Sequence, residues 1–143
     1  MKSKLLTDAV EQTWVVVFDT GDELMSGLLT FAREHRLDAS HFTAIGAFSS
    51  ATLGYFDMEQ KDYLKIPIAD QVEVLSLVGD ITLDGQTPKI HAHAVVGRRD
   101  GTTRGGHVLE AHVRPTLEVM LVESPSYLRR ATDETTGLAL ISL

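Results

Sequence analysis

Apolar and polar positions alternate along most of this chain, and the points where the period changes mark its elements. Residues 13–19, TWVVVFD, are β-branched and aromatic and predict a strand. The period then lengthens. Leu24, Leu28, Phe31 and Ala32 recur at helical spacing and predict one helix running to about His35. Thr20, with Glu23 three residues on, has the spacing of a capping box and is the expected N-cap. After RLDAS the texture becomes strand-like. Strands are expected over 42–48, 51–57, 62–67 and 71–83, the last bent at Gly79. Beyond the turn signal DGQ at 84–86, further strands fit 89–97, 107–114 and 116–123. A short strand fits 138–142, and residues 1–12 are expected to form a flexible N-terminus to a single domain over 1–143. Strands joined by short connections around one helix predict an α+β fold, a mainly antiparallel sheet with the helix packed on it.

Composition narrows the classes. The chain has 143 residues and is 43% apolar, enough to bury a core without staples. It has no cysteine, which excludes disulfides and thiolate zinc sites and fits a reducing compartment. The longest apolar run, WVVVF at 14–18, is far too short to span a bilayer. The opening MKSKLLTDAVEQ lacks the apolar centre of a signal peptide, so a cytoplasmic location is expected. A formal charge of −7 disfavours non-specific duplex binding, which needs a basic surface to release counterions. A DNA-binding role would require Arg33, Arg36, Arg98, Arg99, Arg104, Arg114, Arg129 and Arg130 to cluster.

The chemistry concentrates in residues 90–110, IHAHAVVGRRDGTTRGGHVLE, which hold three of the six histidines. In a strand His91 and His93 share a face. Asp100-Gly101 is a strong turn dipeptide. A hairpin centred near Asp100 puts His93 opposite His107, where facing Cβ atoms lie roughly 5 Å apart. Three imidazoles then converge from two adjacent strands. Neutral imidazole binds zinc and similar divalent ions at about 2.0–2.1 Å, and three such ligands leave a position for water, a carboxylate or a substrate. Metal identity stays open at this point, because imidazole accepts several divalent ions. Gly105 and Gly106 suit a bulge or a close backbone approach. Together with Arg98, Arg99 and Arg104 they are candidates for holding an anionic ligand or substrate.

Other groups are weaker candidates. Asp57, Glu73, Asp80 and Glu110 are strand carboxylates that could supply a base or a fourth ligand, although most strand carboxylates face solvent. His112 lies five residues beyond His107, so regular alternation assigns it to the opposite face and excludes it as a ligand. His35 and His41 read as helix-terminal or exposed residues. No phosphate loop and no GxSxG nucleophile are present, and no catalytic residue is assigned.

With HxH, GGH and the EVLSLVG strand in hand, the chain resembles the PPC domain, shared by plants and prokaryotes. The matching pieces include VEVLSLVGDITLDGQTPKIH, the histidine stretch through LEVMLVE, and the ending RRATDETTGLALISL, covering roughly Trp14 to Leu143. The resemblance implies a curved antiparallel sheet, a homotrimer, and a metal site at His91, His93 and His107, with zinc the expected ion. In plants the domain accompanies AT-hooks, basic Arg-Gly-Arg-Pro segments that carry the DNA contact. This chain has no such segment. The three-histidine arrangement is also similar to that of acetolactate decarboxylase, an analogy of fold that does not transfer function. The first reading is therefore a trimeric small-molecule-binding or regulatory module with a divalent metal. The alternatives are a metal-dependent lyase or hydrolase acting on a small anion, and a DNA-binding protein.

Overall fold

The computed structural model describes residues 1–8, 11–124 and 128–142. Nine strands and one helix are found among them. They are β1 (Lys2–Asp8), β2 (Gln12–Asp19), α1 (Leu24–His35), β3 (Ala39–Asp57), β4 (Asp62–Ile68), β5 (Val72–Asp84), β6 (Thr87–Gly97), β7 (Thr103–Glu123), β8 (Arg129–Thr132) and β9 (Ala139–Ser142). The pairing is antiparallel throughout except for a parallel contact between β5 and β8. Strands β3, β5, β6 and β7 pair in a closed cycle, because β6 bonds to both β5 and β7. Among the described residues no helix is long and apolar enough to cross a membrane.

The helix matches its sequence stripe. Leu24, Leu28, Phe31 and Ala32 are its buried residues, and each buried Leu or Phe is worth about 1.5–3 kcal/mol. Its cap differs from expectation. Glu23, not Thr20, is the N-cap: its carboxylate accepts from the Met25 and Ser26 amides at 3.0 and 2.7 Å. The same carboxylate accepts from Ala111 N–H at 3.2 Å, so it ties the helix to β7 as well. Burial pushes the Glu23 pKa up, but these three N–H donors outweigh it and hold the group below its ordinary value. The Thr20 hydroxyl instead donates to the Pro115 carbonyl.

Several strands run longer than their local patterns suggest. The expected strands 42–48 and 51–57 are one strand, β3, and those at 107–114 and 116–123 are one strand, β7, which passes through a cis Arg114–Pro115 bond. Continuity survives because β3 and β7 pair along most of their length, with shifts of register at Gly46/Phe48, Phe48/Ser50 and Thr52/Leu53. Residues 2–8, expected as part of a flexible N-terminus, pair with β2 as an edge strand. At Gly79, where a bend is expected, the register runs unbroken against both β3 and β6. The irregularity of β5 against β6 falls between Val74 and Ser76, and the Phe42 ring occupies the space a Gly79 Cβ would fill.

Candidate metal centre

The hairpin of β6 and β7 has the register that the Asp100-Gly101 turn implies, with His93 opposite His107. Gly101 adopts φ +82°, and the Asp100 carboxylate accepts from the Thr102 amide and hydroxyl. On β6 the inner positions Ala92, Ala94 and Val96 are buried in the core, so His91 and His93 face away from it. His107 faces the same way, because Val108 is its buried neighbour.

The three rings form a nearly equilateral triangle. Their centroids are 5.0, 5.1 and 5.4 Å apart, and one nitrogen from each lies within 4.8 Å of the others. His91 Nε2 and His93 Nε2 are 3.1 Å apart. His107 Nδ1 is buried and has no hydrogen-bond partner. A buried nitrogen in that state is costly, and coordination would satisfy it. Burial, with the neighbouring imidazoles adding to it, pulls His107 down to a pKa of about 4. His91 is lowered too, first by burial, against the opposing pull of Asp80. Both rings are therefore neutral at pH 7, the form that ligates metal. The donor set and its spacing fit a divalent ion with three imidazole ligands.

Around the triangle the neighbours differ by side. Tyr63 of β4 stacks on His107, centroids 4.6 Å apart and planes 24° apart, over the bare backbone of Gly54. Gly106 explains half of the GGH signature. A Cβ there would stand 2.7 Å from the Gly54 carbonyl oxygen, so only glycine lets β3 and β7 approach this closely beside His107. Gly105 has no such requirement, since its Cβ would meet atoms only at 3.4 Å and beyond. The bulge expected at these glycines lies further along: the β3–β7 register steps from Leu53↔Val108 to Thr52↔Glu110, leaving Leu109 as the extra residue.

That bulge also corrects the assignment of His112. Val108 and Ala111 are both buried although they are three residues apart, so the extra residue reverses the alternation. Glu110 and His112 therefore share the face of His107. His112 still stands outside the cluster, its Nε2 3.0 Å from Glu110 Oε1.

The other candidates disperse. Arg98 and Arg99 line a separate cavity with Asp70, Gln71 and Asp100, and Arg98 sits 3.7 Å from the Asp70 carboxylate. Arg104 is exposed opposite the buried Val96, one strand face away from His107. Of the four carboxylates only Asp80 reaches the triangle, with Oδ2 3.8 Å from His91 Nδ1. Asp57 caps the turn at Glu59 and Gln60, Glu110 pairs with His112, and Glu73 is exposed opposite Gly97. His35 packs at a tilt against Trp14 and Phe31 at the end of α1, and His41 is exposed opposite Asp80. The eight arginines do not gather. Arg33 and Arg36 line a cavity with Gln86 and Pro88 at one end of β6, Arg98 and Arg99 follow its other end, and Arg130 is buried. Tyr63 beside His107, and Arg130 on Asp80, are not anticipated by the sequence. Each arrives from a distant element, so no local spacing points to it.

Comparison with known proteins bears on this geometry. The family model of the Plants and Prokaryotes Conserved (PCC) domain matches residues 6–125. Among solved structures, a metal-containing protein from Archaeoglobus fulgidus is 34% identical over the whole of both chains, with a TM-score of 0.85. A plant- and prokaryote-conserved protein from Pyrococcus horikoshii is 28% identical, with 99% of this chain and 95% of that one covered and a TM-score of 0.86. A protein from Ralstonia eutropha, named as a candidate DNA-binding protein, is 27% identical over 91% of this chain and 90% of its own, with a TM-score of 0.85. A search of curated proteins finds no match.

Proposed function

The chain belongs to the Plants and Prokaryotes Conserved domain family, and from that premise we propose a self-associating metalloprotein that binds a small ligand or serves a regulatory role. His91, His93 and His107 hold the ion, which we take to be zinc. The convergence of three imidazoles from two paired strands carries this reading. The relative from Archaeoglobus fulgidus, called a metal-containing protein, supports it. The test is elemental analysis of purified protein beside a His93→Ala variant. We expect about one equivalent of metal in the first and loss of it in the second. Equal content in both would remove the ligand assignment.

The homotrimer is proposed on a physical ground. Ile45, Leu75, Val78, Val95 and Met120 are exposed, 42–62% each, on the face that also carries the histidines. Val78 stands directly across from His93, so the apolar ground begins at the edge of the triangle. Apolar surface of this kind marks a contact between subunits. Ile45→Asp is expected to yield monomer in light scattering, whereas an unchanged mass would show that this face is not the contact. An anionic ligand, if bound, would be held through Arg98 and Arg99 at the hairpin end. The absence of cysteine supports a cytoplasmic site of action.

A second reading, a lyase or hydrolase acting on a small anion, draws on the donor count. Three protein ligands leave coordination for a water or a substrate, and a divalent ion there would polarise a carbonyl or activate water. DNA binding is the remaining rival, suggested by the name of the Ralstonia relative. The formal charge of −7 and the dispersed arginines weigh against it. A duplex titration across salt should give no binding with a measurable salt slope.

A further inference from the structure

Resting on the metal reading above, we infer that the C-terminal hairpin β8–β9 buttresses the metal centre through Arg130 and Asp80, so that docking of this hairpin and metal binding favour each other. Arg130 is the anchor. Its side chain is only 4% exposed, and its guanidinium is divided among three acceptors. Nε donates to the Thr82 hydroxyl at 2.6 Å, Nη1 to the Ala139 carbonyl at 2.8 Å, and Nη2 to Asp80 Oδ1. A charge this far from water is tolerated only when paired and fully hydrogen-bonded. The pair is Asp80, and the Nη1 bond to Ala139 closes the hairpin on itself at β9.

Asp80 divides its two oxygens. Oδ1 takes the arginine and Oδ2 faces His91 Nδ1 at 3.8 Å, about 0.6 Å outside ordinary hydrogen-bond range. His91 in turn presents Nε2 to the triangle. A carboxylate on the far side of a ligating imidazole holds the proton at Nδ1 and leaves the Nε2 lone pair for the metal. Arg130 thus acts through Asp80, as a positioning residue and not a ligand.

The rest of the hairpin meets the body of the sheet at the end of β5. Against β5 it pairs at Leu83↔Arg129 and Asp84↔Arg130, with further bonds from Leu83 N–H to the Leu128 carbonyl, from Leu128 N–H to the Asp38 carbonyl and from the Arg129 guanidinium to the Gly85 carbonyl. Thr82, on the same side of β5 as Asp80, is fully buried where the hairpin covers it. Arg130 is thus the buried side chain through which the hairpin reaches Asp80. By reciprocity, whatever docking does for metal affinity, metal does for docking.

The experiment uses the full-length protein and zinc alone, with affinity read by chelator competition. Asp80→Asn keeps an oxygen for Arg130 while removing the charge behind His91. Arg130→Met removes the anchor. Each is expected to weaken zinc binding about 10–100-fold, the range for groups that orient a ligand from behind. The double variant should lose less than the product of the two, because both act through one chain. Arg130→Lys keeps the charge but cannot serve three acceptors, and should not rescue. His112→Ala, on the same face but outside this chain, should bind as the parent does. Hydrogen exchange over 129–142 should slow when zinc is added to the parent and change less in Asp80→Asn. Parent-like affinity in Asp80→Asn and Arg130→Met, alongside loss in His93→Ala, would overturn the buttress and leave the metal reading intact. Absence of His93-dependent zinc binding in the parent would overturn both.

Discussion

His107 and His112 lie on one strand and one face, yet only one of them belongs to the triangle. His107 is half-buried, stacked on Tyr63, and lowered by burial to a pKa of about 4. His112 pairs with Glu110. The difference lies in what pairs beside each. Across from His107 is His93 of β6, and the β6–β7 ladder ends at that rung. Across from His112 are Ser50 of β3 and the bridge to Glu23, neither of which offers a second imidazole. Facing the right way is thus insufficient for ligation; a ligand needs a donor opposite it, close enough that one ion satisfies both.

The strongest test of that contrast is the pair of alanine variants. His107→Ala should lose bound metal almost completely while His112→Ala keeps the parent's content, measured by elemental analysis after dialysis. Comparable losses would show that the face as a whole, and not the triangle, binds the ion. Next in size is the backbone beside each residue. Gly106→Ala forces a Cβ against the Gly54 carbonyl and should destabilise by about 1–3 kcal/mol in urea unfolding. Gly105→Ala, with ordinary contacts, should stay within about 0.5 kcal/mol. If the two behave alike, the close approach of β3 and β7 does not set the site.

The contrast extends to pH dependence. The folded pKa of His107 is lowered from 6.5 to about 4, first by burial. Between those values the unfolded chain holds a proton that the folded protein does not. Stability of the metal-free protein is therefore fully present above pH 6.5 and falls as pH drops towards 4. Urea midpoints measured across that window should decline in the parent and in His112→Ala, and decline less in His107→Ala. Equal slopes in all three would mean that His107 titrates as an exposed ring.

How far the chain could be read without coordinates depended on the range of each interaction. The stripe Leu24, Leu28, Phe31, Ala32 and the His93–His107 rung follow from periodicity and from one tight turn, all within a few residues. The cap falls at Glu23 and not at Thr20, where the capping-box spacing puts it. Glu23 prevails through a bond to Ala111, 88 residues away. The side of His112 was misread because one bulged residue, Leu109, inverts every position beyond it.

Local chemistry alone therefore determined the helix, the hairpin register and the three converging imidazoles, since dihedral preference and strand alternation act over a handful of bonds. Tertiary structure decided the rest. It merged short strands into β3 and β7, turned His112 outward, laid Tyr63 on His107, and brought Arg130 to Asp80 across 50 positions of chain. Those outcomes depend on which strands lie side by side and on which buried charges must find partners, and only a packed core settles either.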